Sequence, residues 1–168
     1  MKGIVNKSKI SGKGVFADRD LKKGELFCEM EGKLMTIPEL LEKCDSGEEE
    51  EGYPFQIDDL NYLDLDDPYM YINHSCNPNL GIKEEKILFV LKDIKEGEEV
   101  TFDYSSSEWS SDTGWGEEFT EPWDMECSCG NENCRKIVTE FPQLPEEIKI
   151  RYEQLGALPS FILKKIGK

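Results

Sequence analysis

Cys127-Ser128-Cys129-Gly130-Asn131-Glu132-Asn133-Cys134 gathers three of the chain's six cysteines into eight residues. A tetrahedral structural zinc site takes four soft ligands, so C-x-C-x4-C leaves one position to be filled from elsewhere. Cys28, Cys44, Cys76 and His74 are the candidates. Of these, only His74 and Cys76 lie in a stretch dense in polar side chains, Tyr71-Ile72-Asn73-His74-Ser75-Cys76-Asn77-Pro78-Asn79. Cys76 is the expected fourth ligand, because an all-sulfur set keeps His74 free for other work.

The 168 residues, 38% hydrophobic and 10% aromatic, fit one globular domain with a small appendage. No apolar run is long enough to span a bilayer, and no hydrophobic signal core follows Met1. The expectation is an intracellular protein, cytoplasmic or nuclear, with no membrane partner. Reduced, metal-holding thiols are then favoured over a disulfide framework. Twenty basic residues against 36 acidic ones give a net charge of -16, which argues against direct nucleic-acid binding and favours basic partners. Solvation alone explains much of that charge. Residues 105–126 are the exception: Glu108, Asp112, Glu117, Glu118, Glu121, Asp124 and Glu126 interleave with Trp109, Trp115, Phe119 and Trp123, without Lys or Arg. Such a stretch suits covering a cationic, partly apolar ligand such as a lysine-containing peptide.

The local pattern predicts short strands at residues 3–8, 15–17 and 26–30, with the turn Ser11-Gly12-Lys13-Gly14 between the first two. Thr36 reads as the cap of a helix with Pro38 in its first turn and Leu40-Leu41 on its buried face, ending before Asp45-Ser46-Gly47. Residues 48–51 read as an exposed acidic loop. Further strands are predicted at 55–57, 62–63, 87–91 (buried on both faces) and 100–104. Residues 105–126 look too polar for a core element. Pro145 opens a helix over 146–155 stopped by Gly156, and a last helical turn over 159–166 packs Phe161 and Ile162.

Four landmarks stand in order: Gly12-Lys13-Gly14-Val15-Phe16, Asn73-His74-Ser75-Cys76, Glu99-Val100-Thr101-Phe102-Asp103-Tyr104, and the cysteine clip. Together they resemble the SET-domain protein lysine methyltransferases with a post-SET zinc segment, and the tail through Ile162 is similar to that of small stand-alone members. The resemblance implies a mainly β fold with short helices (α+β), a SET-type β-clip with a pseudoknot, a zinc-binding post-SET segment and a C-terminal helix. It divides the chain into a SET domain at 1–104 with an insert at about 36–62, an acidic aromatic lid at 105–126, the zinc segment at 127–140, and a helical tail at 141–168.

Carried over residue by residue, the resemblance implies transfer of a methyl group from S-adenosylmethionine to the ε-amine of a protein lysine in a basic context. Tyr104 matches the catalytic tyrosine, and its hydroxyl also faces the cofactor. Asn73 and His74 match the pair that holds the cofactor, and Gly12, Lys13 and Gly14 the turn whose backbone approaches it. One structural Zn2+ is implied on Cys76, Cys127, Cys129 and Cys134. Phe102 stands where phenylalanine leaves room for di- or trimethylation. Two positions depart from the pattern. Met30 replaces a tyrosine that shapes the lysine channel, and Tyr71-Ile72 replaces arginine and phenylalanine, so that Tyr71 is expected to cover the cofactor. Trp109, Trp115, Phe119 or Trp123 can supply the missing channel wall, or serve as packing anchors. The alternative is a catalytically silent SET fold that binds a basic peptide or partner protein.

Overall fold

Short strands separated by charged turns give a computed structural model made of small sheets; residues 1–47, 54–111 and 122–168 are described. The acidic loop at 48–51 and the lid residues Asp112, Trp115, Glu117, Glu118, Phe119 and Glu121 lie outside the described residues. β1 (Gly3–Lys7) and β2 (Lys13–Ala17) form a hairpin. Its turn closes with Ser8 N–H donating to Gly12 O at 3.0 Å, and Gly12 takes a left-handed φ of 41°, which a side chain disfavours.

β3 (Leu26–Glu29), β8 (Ile87–Val90) and β7 (Leu80–Lys83) make one antiparallel sheet in that spatial order. β4 (Gly32–Thr36), β6 (Asn61–Leu65) and β5 (Phe55–Gln56) make another. Between β4 and β5 lies α1 (Ile37–Ser46), started by Thr36 and Glu39 in a reciprocal capping box and stopped by Gly47 in the left-handed region. It runs past the predicted stop at Asp45 because Gly47, not Asp45, supplies the terminating geometry. β9 (Asp124–Glu126) and β10 (Ile137–Thr139) form a hairpin that frames the cysteine clip. The chain ends in α2 (Glu146–Leu155) and α3 (Ser160–Lys165), with Gly156 stopping α2 as predicted.

The predicted strand over 100–104 does not form as one element. Val100 N–H donates to Val15 O at 2.8 Å, Leu80 N–H to Thr101 O at 2.9 Å, Ser75 N–H to Phe102 O at 3.0 Å, and Tyr104 opens a 3-10 turn through Ser106. Each residue of the segment thus bonds a different neighbour. The segment lies between the hairpin and residues 73–80, making a parallel bridge from Phe102 to His74, which is the crossing of a pseudoknot. Residues 105–107, which open the stretch expected to be too polar for a core element, are buried serines.

Two apolar clusters meet at β8. Leu88 and Val90 point into the main core with Val15, Phe27, Met30, Leu80 and Phe102, while Phe89 packs on a second cluster of Phe141, Leu144, Tyr152, Leu158 and Phe161. β8 is therefore covered on both faces, as its apolar run implies. The second cluster seats α2 and α3 against the body.

Candidate active site and cysteine cluster

The threaded segment brings the sequence landmarks together. Asn73 turns its amide toward the glycine turn, donating from Nδ2 to Lys13 O at 2.9 Å and to Glu99 Oε1 at 2.8 Å. Ser8 Oγ donates to the same carboxylate at 2.7 Å. A Cβ added to Gly14 would sit 2.2 Å from Glu99 Oε1. The glycine is thus required by a carboxylate that is itself held from two sides. Lys13 lies beside Tyr71, with Nζ 3.3 Å from the phenol oxygen and 4.5 Å from the ring centroid.

Tyr104 is half-buried. Its hydroxyl donates to Ile72 O at 2.9 Å, its ring meets His74 edge-on at 5.4 Å, and it tilts against Phe102 at 4.8 Å. Phe55 stands edge-on to Phe102 at 6.2 Å. Met30 is fully buried in the same core cluster. Phe102 therefore packs on the phenol ring while the Ile72 carbonyl receives its hydroxyl.

His74 is buried, and its surroundings fix its tautomer. Tyr104 N–H donates to Nδ1 at 3.2 Å, so Nδ1 carries no proton and Nε2–H faces Cys76 Sγ at 3.3 Å. Burial pushes the imidazole down to about 4, overcoming the opposing pull of Asp103, and the ring is neutral near pH 7.

Cys76, Cys127, Cys129 and Cys134 present their sulfurs within 4.8 Å of one another, a group able to hold a metal ion. Cys28 is buried in the main core and Cys44, on α1, packs against the small cluster of Met35, Ile37, Leu40 and Tyr62, so neither joins the group. The Cys76 and Cys127 sulfurs are 3.7 Å apart, and the N–H groups of Arg135 and Lys136 point at Cys76 Sγ and Cys134 Sγ, each at 3.4 Å. Asn131 Nδ2 donates to Ser75 Oγ at 2.9 Å, tying the clip to the same segment. Burial, the largest cause, pushes the Cys76 thiol up to about 11 against the opposing pull of Arg135, and it pushes Cys127 up as well, helped by the neighbouring thiols. A bound divalent cation reverses that preference, since thiolates are what it ligates.

Of the lid aromatics, Trp109 stacks on Phe141 at 6.0 Å under the Lys165 ammonium, 4.9 Å from its centroid, which makes it a packing anchor. Trp123 is half-buried and gives its backbone N–H to Glu140 at 3.0 Å. Glu140, itself buried, also accepts from Ser110 Oγ and from Ser111 N–H, so one carboxylate joins residues 110–111 to Trp123.

Sequence reading singled out none of Glu99, Asp103, Arg135, Glu140 and Tyr152 for a role of its own. Two had an adjacency signal: Asp103 directly precedes Tyr104, and Arg135 directly follows the last cysteine of the clip. Tyr152 had none, because only the docking of α2 brings it near.

Residues 12–105 match the SET domain family. The chain is 31% identical over 152 residues to histone-lysine N-methyltransferase Su(var)3-9 of Drosophila melanogaster, covering 76% of this chain and 23% of that one. It is 31% identical over 146 residues to histone-lysine N-methyltransferase trithorax of Drosophila virilis, covering 80% and 4% respectively. Its fold resembles that of ctPRC2 in an autoinhibited conformation bound to S-adenosylmethionine, with a TM-score of 0.55 and 28% identity over 62% of this chain and 15% of that one. The chain belongs to the SET-domain family, on a match that spans more than half its length. It spans less than a quarter of each of these two curated relatives. Among the described residues, no helix is long and apolar enough to cross a membrane.

Proposed function

We propose that this chain transfers a methyl group from S-adenosylmethionine to the ε-amine of a lysine in a protein substrate, with Tyr104 as the catalytic residue. The observation that carries this reading is the convergence, on one threaded segment, of Tyr104, Asn73 and His74 with an apolar ring wall beside the phenol. The cofactor supplies an electrophilic methyl on a sulfonium. The residues positioned to hold it are Gly12, Lys13, Gly14, Tyr71, Asn73, His74 and Tyr104. They suit it because the glycine turn exposes backbone beside the Asn73 amide while the Lys13–Tyr71 pair borders the same edge.

The attacking amine has to be neutral, although a free lysine has a pKa of about 10.4. Apolar walls such as Phe102, and the neighbouring Met30 and Phe55, disfavour the ammonium and push toward the free amine. The Tyr104 hydroxyl, anchored on Ile72 O, is placed to accept from or orient that amine. Phe102 carries no hydroxyl to hold a crowding water, so the product extends to di- or trimethyllysine.

The metal is Zn2+, held structurally by Cys76, Cys127, Cys129 and Cys134. Zn–S bonds of about 2.3 Å at tetrahedral angles put sulfurs about 3.8 Å apart, close to the 3.7 Å between Cys76 and Cys127. Four sulfur donors leave no open coordination position, so the metal fastens the clip to the body and does no chemistry. The net charge of -16 favours a lysine set among basic residues, as in a histone tail.

The test is transfer of labelled methyl from S-adenosylmethionine to histones and a mixed protein lysate, with mass spectrometry of the product. Wild type is expected to label a lysine beyond the monomethyl state, Tyr104→Phe to lower kcat about 100-fold, and Phe102→Tyr to stop at monomethyllysine. No incorporation by wild type would leave only a silent, peptide-binding SET fold.

A further inference from the structure

Asp103 stands immediately before Tyr104, and its carboxylate is sealed from solvent. Groups from four parts of the chain converge on it. Arg135 donates from Nη1 at 2.8 Å and Nη2 at 2.7 Å. The Tyr152 hydroxyl, from α2, donates to Oδ2 at 2.6 Å. Ser105 N–H donates to Oδ1 at 3.1 Å, closing the 3-10 turn that Tyr104 opens. His74 Nδ1 lies 3.5 Å from the same oxygen. Arg135 extends the network, giving Nη2 to Ser105 Oγ at 3.0 Å while its backbone N–H faces Cys76 Sγ.

We infer that Tyr152 is a positioning residue for methyl transfer: by fixing Asp103 it holds the turn that carries Tyr104. The inference rests on the methyltransferase reading above. It gives the C-terminal helix a part in the chemistry, although α2 contributes no group to the reacting atoms. Burial beside Asp103 raises the Tyr152 pKa, so its hydroxyl remains a donor. The direction of the effect follows from what each partner holds. Asn73 is set by Glu99 and the glycine turn, independently of Asp103, whereas the Tyr104 backbone is set by His74 and the Asp103-capped turn. Loosening Asp103 therefore disturbs the phenol more than the contacts made by Asn73 and the glycine turn.

Packing and hydrogen bonding are separable at this position. The Tyr152 ring fills the second cluster with Phe141, Leu144 and Phe161, and Arg135 still pairs Asp103 when the hydroxyl is gone. Tyr152→Phe therefore keeps the fold and removes one donor. The experiment measures steady-state transfer by the full chain, normalised to cofactor-binding sites counted by calorimetry, with zinc content determined on the same samples. The expected result for Tyr152→Phe is a kcat lower by about tenfold, a KM for S-adenosylmethionine within about twofold of wild type, and unchanged zinc. A kcat per binding site equal to wild type would overturn the inference, as would a loss matched entirely by fewer binding sites, which marks a purely structural role. Absence of transfer by wild type would remove the methyltransferase reading and this inference with it.

Discussion

The glycine turn and the cysteine clip reach residues 73–76 from opposite sides, and they are held there by different forces. The glycine side is an extension of the main core: β2 is laddered to β1, Val15 O takes the Val100 N–H, and Gly14 lets Glu99 lie against the backbone. Close packing fixes its geometry. On the clip side, the links of residues 127–135 to the body run through polar side chains and thiols: Asn131 to Ser75, Arg135 to Asp103, and Cys76 to Cys127. Apolar contacts secure that region only further along, where Phe141 and the helices dock. Sterics thus specify one half of the site, and ligand chemistry attaches the other.

Removing the metal with a strong chelator is the harshest way to break this asymmetry. Because metal binding and ordering of the clip are one equilibrium, the melting temperature should fall by roughly 5–15 °C and transfer should be lost. The main core should keep its secondary structure by circular dichroism. Unchanged melting and full activity in metal-free protein would show that side-chain bonds alone hold the clip. On the glycine side, Gly14→Ala puts a Cβ 2.2 Å from Glu99 Oε1, which forces the carboxylate away and breaks its bond with Asn73. Losing about one hydrogen bond should weaken S-adenosylmethionine binding about five- to tenfold by calorimetry, with zinc content intact. Loss of zinc in that variant would mean that the two sides are one unit.

The smallest effect concerns Glu108. Burial pushes the Glu108 carboxyl up from an ordinary 4.5 to about 8, helped by Glu140 and opposed by hydrogen bonds from Tyr62 and Ser110. A folded-state pKa above the unfolded one means that the native protein keeps a proton the unfolded chain releases. This contribution to stability is therefore complete below about 4.5 and is lost as pH rises toward 8. Glu108→Gln should gain stability over wild type by roughly 1–2 kcal/mol between about pH 6 and pH 8.5. A difference independent of pH, measured by urea unfolding, would place the carboxyl in solvent.

The sequence announced elements wherever a local signal carried them. Thr36 marked the start of α1, whose end lies two residues past the predicted one, Gly156 bounded α2, and the apolar run through Leu88 and Val90 gave a strand covered on both faces. The strands β4, β7 and the β9–β10 hairpin went unread: β4 buries only Met35 and pairs β6 across α1, β7 is four residues interrupted by Gly81, and β9 is exposed throughout. Residues 100–104 read as a strand because Val100, Thr101 and Phe102 favour extended backbone. Threading instead gave each residue a different partner. The cysteine set was legible from spacing, and the structure brings those four sulfurs together without Cys28 or Cys44. The network around Asp103 was not legible, since Arg135 and Tyr152 reach it across 32 and 49 residues of sequence.

Elemental analysis of purified protein beside Cys76→Ser should find about one zinc per chain in wild type, as a four-thiolate site holds a single ion, and little in the variant. No zinc in wild type, or the same zinc in Cys76→Ser, would contradict a tetrathiolate that joins residue 76 to the clip.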